Sequence, residues 1–551
     1  MSTSEFFQEG PRLKNQFLSD PWLNIHLSSV VPSEVFQKWK PHLQEVGEDA
    51  AGKLLVWADE AERDEPRHIP YDPWGKRVDR IEVSRAWIDM KNYAAEHGLI
   101  AEGYERKDGP WSRLYQMSLL YLYHPSSAIF SCPLAMTDGA ARAIEIYGDE
   151  ELKKTAFRHL TSRDPKTFWT SGQWMTERTG GSDVGQSLTK AVKNGDHYAL
   201  HGEKWFTSAT TSEMSMALAR IEGAEAGGKG LSLFYVKVHD DQGQLRGIRV
   251  RRLKNKMGTK ALPTAELELV GTPAHLVGGE GGGVKKIAAL FNISRIYNSV
   301  AALGYMRRAL ALALDYSQKR HVFGRKLKDQ PLHLATLFPV FAETWGCSDL
   351  VFELIRLLGR EECNEATENE KALLRLFIPL AKLYTGKKVV SVVFECIEMF
   401  GGAGYVEDTG LPTLLKNAQV LPIWEGTTNV LSLDMLRALT KECPLSVWAE
   451  DQGLKIKALG DAQPASHLKT HLDQILKAAG ELAKDSERMS FHAREFAFAL
   501  TELSIATLVC GKARKNPTPQ TKAVADFWLR RLRPFEAQPA DSQMKAHSVL
   551  F

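Results

Sequence analysis

Residues 197–209 read HYALHGEKWFTSA. Aromatic and small apolar residues alternate with polar ones in this stretch, and an Asn-Gly pair (194–195) stands just before it, as in a strand entered from a hairpin turn. The same texture returns in GLSLFYVKV (230–238), GIRVRRL (247–253) and TAELELVG (264–271). We therefore read 166–280 as a compact all-β domain. The flanks have a different period. Residues 1–165 are mostly helical, with loops such as YDPWGKR (71–77), and IEVSRAWIDMKNYAAEH (81–97) spaces its apolar groups three and four apart. The glycine-rich 278–283 reads as a hinge into long helices. Residues 292–320 and 370–400 carry broad apolar faces that predict a bundle over 281–440. An extra helical domain, 441–551, follows, with breaks near Pro464 and 517–519. The fold class is α+β, multidomain and mostly α.

The totals exclude several classes. A chain of 551 residues, 44% hydrophobic and 25% charged, is too long for one core and has an ordinary globular composition. No uninterrupted apolar run reaches membrane-spanning length, so no membrane insertion is expected, and the N-terminus lacks the layout of a secretory signal. Six scattered cysteines without a CxxC pair predict reduced thiols, a cytoplasmic location and no metal site. A net charge of +3 is too small for a general nucleic-acid affinity. Nicotinamide, Walker, HExxH and GxSxG motifs are all missing.

Three stretches carry chemistry. WMTERTGGSDVGQS (174–187) is a turn-rich loop at the edge of the β-domain. GEKWFTSA (202–209) holds a tryptophan whose plain reading is core packing. RHVFG (320–324) reads as a helix end, with Arg320 and Phe323 on one face. A fourth, LPIWEGTTN (421–429), sets Glu425 in an apolar approach whose nearest charged residues are Lys416 and Asp434. Its plain reading is an acid near a helix start.

Taken in order, the TE…GGSDV loop, the KWFT strand, RHVFG, GGAGY (401–405) and WEGT resemble the acyl-CoA dehydrogenase flavoproteins. The likeness covers about residues 80–440 and includes the α, β, α-bundle order. Within that family the chain is most similar to the AidB-type branch, associated with the bacterial alkylation response, which shares RHVFG, the following Gln-Pro-Leu and an extra C-terminal helical domain. The resemblance implies a central β-barrel-like domain, FAD as cofactor and fatty acid metabolism as the setting. It implies that Met175 and Thr176 meet the polar edge of the flavin, that Ser182 faces the diphosphate, and that Trp205, Phe206 and Thr207 form its wall. Arg320, Phe323, Gln330, Gly401 and Gly402 would reach the cofactor of a neighbouring subunit in a homotetramer built as a dimer of dimers. Thr427 and Asn429 complete the implied cofactor set. At 398 the chain has Glu where the common pattern has Gln, and an ionised Glu cannot donate a hydrogen bond.

The resemblance makes Glu425 the base that removes the α-proton of an acyl-CoA thioester. Apolar neighbours raise a carboxylate's pKa towards a useful range. A minority of relatives carry the base just before the arginine here numbered Arg295, but that position is Ser294. Arg295 and Asn292 are the implied substrate-side residues, Asn292 replacing an aspartate common in relatives. Arg437 either folds back towards Glu425 or pairs with Asp434 on its own helix. An electron-transfer flavoprotein is the implied acceptor. Lys512, Arg514, Lys515, Arg530, Arg531 and Arg533 form a basic stretch with one acid among them, Asp526. It reads either as a phosphate-binding face for double-stranded DNA or as a solvated helix face or subunit contact. An AidB-like flavoprotein that chiefly binds DNA or acyl-CoA is thus the alternative function.

Overall fold

The computed structural model describes residues 7–460 and 463–535. In the first helical region, Ser112–Tyr123 (SRLYQMSLLYLY) is buried at every position. Helices Pro21–Val30, Ser33–Asp49, Arg85–Glu96 and Ser131–Tyr147 belong to the same region. A helix apolar on all sides must be enclosed, and its two long polar side chains need partners. Arg113 finds Asp138 (2.9 Å) and Glu362 (2.6 Å), and Gln116 donates to Asp138 (2.7 Å).

Strands Ser171–Trp174, Lys190–Asn194, His197–Ser208, Met214–Ile221, Leu231–Lys237, Ile248–Leu253 and Thr264–Val277 form one seven-stranded sheet. Its two ends meet, because Met214–Ile221 pairs in parallel with Lys190–Asn194 and antiparallel with Leu231–Lys237. The sheet is thereby barrel-like. Pairing of His197–Ser208 with Thr264–Val277 slips between Lys204 and Thr207, so two residues, Trp205 and Phe206, stand where one would fit. Such a bulge bends the strand and re-aims its side chains.

The bundle consists of Gly283–Lys319, Pro331–Glu362 and Glu368–Glu398, followed by the shorter Leu411–Ala418 and Thr428–Lys441. The C-terminal region adds Leu445–Lys457, Gln463–Leu482, Ser486–Lys515 and Pro519–Arg531. Ser486–Lys515 is long and apolar enough to cross a membrane, unlike what the run-length reading expects, but 72% of its apolar stretch is buried in the protein.

Two local expectations change. Residues 67–82 form a hairpin, Arg67–Tyr71 with Arg77–Glu82, so the helix expected over 81–97 begins only at Arg85. The hairpin is held from afar: Arg77 donates to the Val250 carbonyl (2.9 Å) and the Val250 amide to Asp79 (3.1 Å). RHVFG is not a helix face, since the helix stops at Lys319 and His321–Val322 turns back onto Arg325–Lys326.

Trp528 docks the last helix. Its indole donates to the Ala342 carbonyl (3.0 Å) and packs directly against Gly346, where a β-carbon would stand 2.4 Å from the ring. Trp528 is wholly buried and has nowhere to retreat. Gly346→Ala is therefore expected to destabilise this docking by about 1–3 kcal/mol, read as a lower melting temperature and faster proteolysis after residue 457.

Candidate active site

Glu425 lies in the irregular segment between helices Leu411–Ala418 and Thr428–Lys441. Its φ is +56°, a left-handed conformation uncommon for a residue with a side chain, and Gly426 follows at +102°. Thr427 then caps the next helix. Asn298 braces the turn, accepting from the Trp424 indole and donating to the Leu421 carbonyl (3.2 Å).

Three layers of the fold supply the surroundings. From helix Gly283–Lys319, the Ser294 hydroxyl donates to Oε2 of Glu425 at 2.7 Å. From the barrel, Gln173 reaches Oε1 at 3.5 Å, the limit of a hydrogen bond, while its own Oε1 is buried without a partner among the described residues. From the first helical region, the Cys132 thiol is pushed up to about 12, first by burial and then by the nearby Glu425 charge.

Cations are close but are not on the carboxylate. Arg295 donates Nε to the Glu425 carbonyl (3.3 Å) and Nη1 to Asp434 (2.6 Å), whose other oxygen takes Arg375 (2.7 Å). Asp434 is thus paired by Arg295 and Arg375, and Arg437 is exposed, which overturns both readings of Arg437. Lys382, buried mid-helix in Glu368–Glu398, donates to the Gly426 carbonyl. Burial brings its pKa down to about 7. For Glu425 burial wins and raises the pKa against the opposing pull of Ser294, Arg295 and Lys382. A half-buried carboxylate that holds its proton more tightly than usual is suited to accept one.

The remaining sequence-predicted residues group as follows. Met175 is buried, and the Thr176 carbonyl accepts from the Trp205 amide (2.9 Å), which joins the loop to the KWFT strand. Ser182 is exposed on that loop. Trp205 is half-buried, Phe206 is 59% exposed, and Lys254 stands over both rings (3.6 and 4.6 Å). Thr207 turns inward and donates to the Ala265 carbonyl (2.8 Å). Arg320 binds Gln8 (3.1 Å), Gln330 donates to the Val322 carbonyl (2.9 Å), and Phe323 is 97% exposed. Gly401 and Gly402 border open space. Asn429 accepts from Arg494 (3.5 Å), and Asn292 is half-buried one turn before Arg295.

The basic stretch is not one face. Lys512 is buried against Asp349, and Arg531 pairs with Glu343 and lies over Trp528 (5.0 Å). Arg514 donates to the Ala458 carbonyl. Lys515, Arg530 and Arg533 remain exposed. The DNA patch is corrected accordingly: Lys512 and Arg531 are used in internal pairing.

Only part of the site is visible in the sequence. Ser294 was legible as a missing base but not as a donor to Glu425. Gln173, Asn298 and Arg375 gave no signal. Lys382 gave one, a lone lysine in the apolar run FIPLAKLY.

With this geometry in view, the relatives can be compared. Residues 11–164 match the adaptive response protein AidB N-terminal domain, 172–271 the acyl-CoA dehydrogenase middle domain and 281–440 the acyl-CoA dehydrogenase C-terminal domain. The chain is 43% identical over 534 residues to acyl-CoA dehydrogenase family member 11 of Caenorhabditis elegans, covering 93% of this chain and 86% of that one. It is 29% identical to the putative acyl-CoA dehydrogenase AidB of Escherichia coli, covering 77% and 78%. The solved structure of C. elegans ACDH-11 in complex with C11-CoA superposes with a TM-score of 0.95 at 40% identity, covering 99% of this chain and 96% of that one. This fold and site define an acyl-CoA dehydrogenase architecture, and the chain belongs to that family, in its AidB-type branch.

The raised pKa of Glu425 has a consequence for stability. A folded-state carboxyl that grips its proton harder than the unfolded chain contributes stability that is fully present below the unfolded value and lost as pH rises through the folded one. Glu425→Gln removes that loss. Its melting temperature is expected to exceed the parent's at pH 8, with the gap closing towards pH 5, measured by differential scanning fluorimetry at both pH values.

Proposed function

We propose that the protein is an FAD-dependent acyl-CoA dehydrogenase in which Glu425 takes the α-proton of an acyl-CoA thioester and the product is a trans-2-enoyl-CoA. The observation that carries this reading is the carboxylate of Glu425, half-buried, raised in pKa and free of any direct cation among the described residues. A flavin fits the surroundings. Exposed Phe206 and half-buried Trp205 offer aromatic surface at the bulge, with Lys254 over both rings, and the unpartnered Oε1 of Gln173 marks polar capacity near Glu425. FAD, if held there by Trp205, Phe206 and the loop that carries Thr176, would supply the acceptor for the hydride that leaves the β-carbon.

The protein's own part is positioning and proton transfer. Ser294 orients Oε2, so Oε1, held only by the long Gln173 contact, is the freer oxygen for the α-proton. Gly426 leaves room for a thioester, and a backbone amide of this segment, fixed before substrate arrives, is the donor for the thioester oxygen as it gains charge. The C11-CoA held by the C. elegans relative supports an acyl chain of similar length as ligand. Exposed Phe323, Tyr405 and Leu332 support a homotetramer in which a neighbouring copy covers them, an electron-transfer flavoprotein is the matching acceptor, and we place the protein in the cytoplasm.

Anaerobic titration with acyl-CoAs of graded length tests the reading. The flavin absorbance is expected to bleach in the parent with C11-CoA, while Glu425→Gln binds the same ligand and bleaches at least about 10²-fold more slowly. Bleaching at the parent rate in Glu425→Gln would remove Glu425 as the base.

A further inference from the structure

The two peptide groups at the base are held by two cations that come from different helices. Arg295, from Gly283–Lys319, donates to the Glu425 carbonyl, and Lys382, from Glu368–Glu398, donates to the Gly426 carbonyl. Lys382 is completely buried and makes no ion pair among the described residues. Burying a lysine without an ion pair is costly whether its amine is charged or, as its lowered pKa allows, neutral, so an apolar side chain would be the cheaper filler for a merely structural position. What the lysine does is reach a carbonyl in a segment with two successive positive φ values, at Glu425 and Gly426. That backbone is strained at Glu425 and needs outside support to persist.

Asp434 decides what Arg295 can do. Burial works to raise the Asp434 pKa, but Arg295 and Arg375 together hold it below its ordinary value, so it stays ionised and keeps the arginine fork. Arg295 already stands 3.3 Å from the Glu425 carbonyl and its charge already pulls on the carboxylate, and a direct ion pair would lower that group's pKa further and blunt it as a base.

We propose that Lys382, Arg295 and Asp434 are positioning residues: they clamp the carbonyls of Glu425 and Gly426 to aim the base, and Asp434 keeps Arg295 off its carboxylate. The proposal rests on Glu425 being the base. None of the three acts on the reacting atoms directly, and their effects differ. Loss of Lys382 mis-aims the carboxylate, whereas loss of the Asp434 charge lowers its basicity.

Flavin-loaded Lys382→Met, Lys382→Arg, Asp434→Asn and Glu425→Gln proteins are compared in anaerobic stopped flow with C11-CoA, with flavin content and C11-CoA affinity measured beside the rate. Lys382→Met is expected to keep flavin and bind C11-CoA within about twofold, yet to bleach on the order of 10²-fold more slowly, as a displacement of about 1 Å does. Lys382→Arg, which restores a cationic donor, recovers part of the rate. Asp434→Asn moves the acid limb of the rate–pH profile to lower pH and lowers the plateau. A Lys382→Met rate within about threefold of the parent, together with an unmoved limb in Asp434→Asn, overturns the clamp. If Lys382→Met does not fold, the near-isosteric Asp434→Asn decides by its limb alone. Glu425→Gln keeps the two readings apart: an active Glu425→Gln sinks the base, whereas an inactive one beside a normal Lys382→Met and an unmoved Asp434→Asn limb sinks only the clamp.

Discussion

Asp138 is fully buried and takes hydrogen bonds from Arg113, Gln116, Tyr104 (2.8 Å) and Tyr297 (2.8 Å). The donors come from three segments, and Arg113 extends the network to Glu362 at the end of the second bundle helix. Buried ionic groups of this kind add little net stability but are costly to mispair, so they favour one arrangement of the elements around them. Here that arrangement sets the site. Tyr297 stands one helical turn beyond Ser294, so fixing its hydroxyl on Asp138 fixes the rotation of helix Gly283–Lys319 and turns Ser294 towards Glu425. Cys132, which feels the charge of Glu425, lies on the same helix as Asp138. The first helical region and the bundle are thus locked together about a turn or two from the chemistry.

Around Glu425 the fold divides labour between charge and geometry. Charge-assisted bonds are the strong ones, and Arg295 and Lys382 spend theirs on backbone carbonyls and Asp434. The carboxylate receives a neutral hydroxyl and one long amide contact. Rigid placement comes from the cations, and proton affinity comes from burial. A direct Arg–Glu pair would supply the first and destroy the second.

Period and turn chemistry made most of the architecture legible. Alternation in HYALHGEKWFTSA and an Asn-Gly turn give the strand His197–Ser208 and its hairpin with Lys190–Asn194, because those signals are local. The hairpin at 67–82 was not legible: its buried Asp79 and half-exposed strands make sense only beside Val250, 171 residues away. Glu425 stood out because it lacked charged neighbours in sequence, but its partners Ser294 and Gln173 arrive from other elements, where they look like ordinary polar residues. The bulge at Trp205–Phe206 was hidden for the same reason, since register depends on the partner strand.

The C-terminal helices show how a local charge count misleads. Lys512 and Arg531 sit in the densest basic run, yet Lys512 packs over Trp22 (4.6 Å) beside Asp349, and Arg531 joins Glu343 and Glu502 (3.6 Å). Both join the added region to the bundle helix Pro331–Glu362. Helix Ser486–Lys515 also lies along Thr428–Lys441, with Arg494 on Asn429. Thr428–Lys441 starts two residues after the Gly426 carbonyl and carries Asp434. The extra domain therefore backs the helix that holds the anchor of Arg295, and its apolar and basic surfaces are used from the far side of the same segment that presents the base.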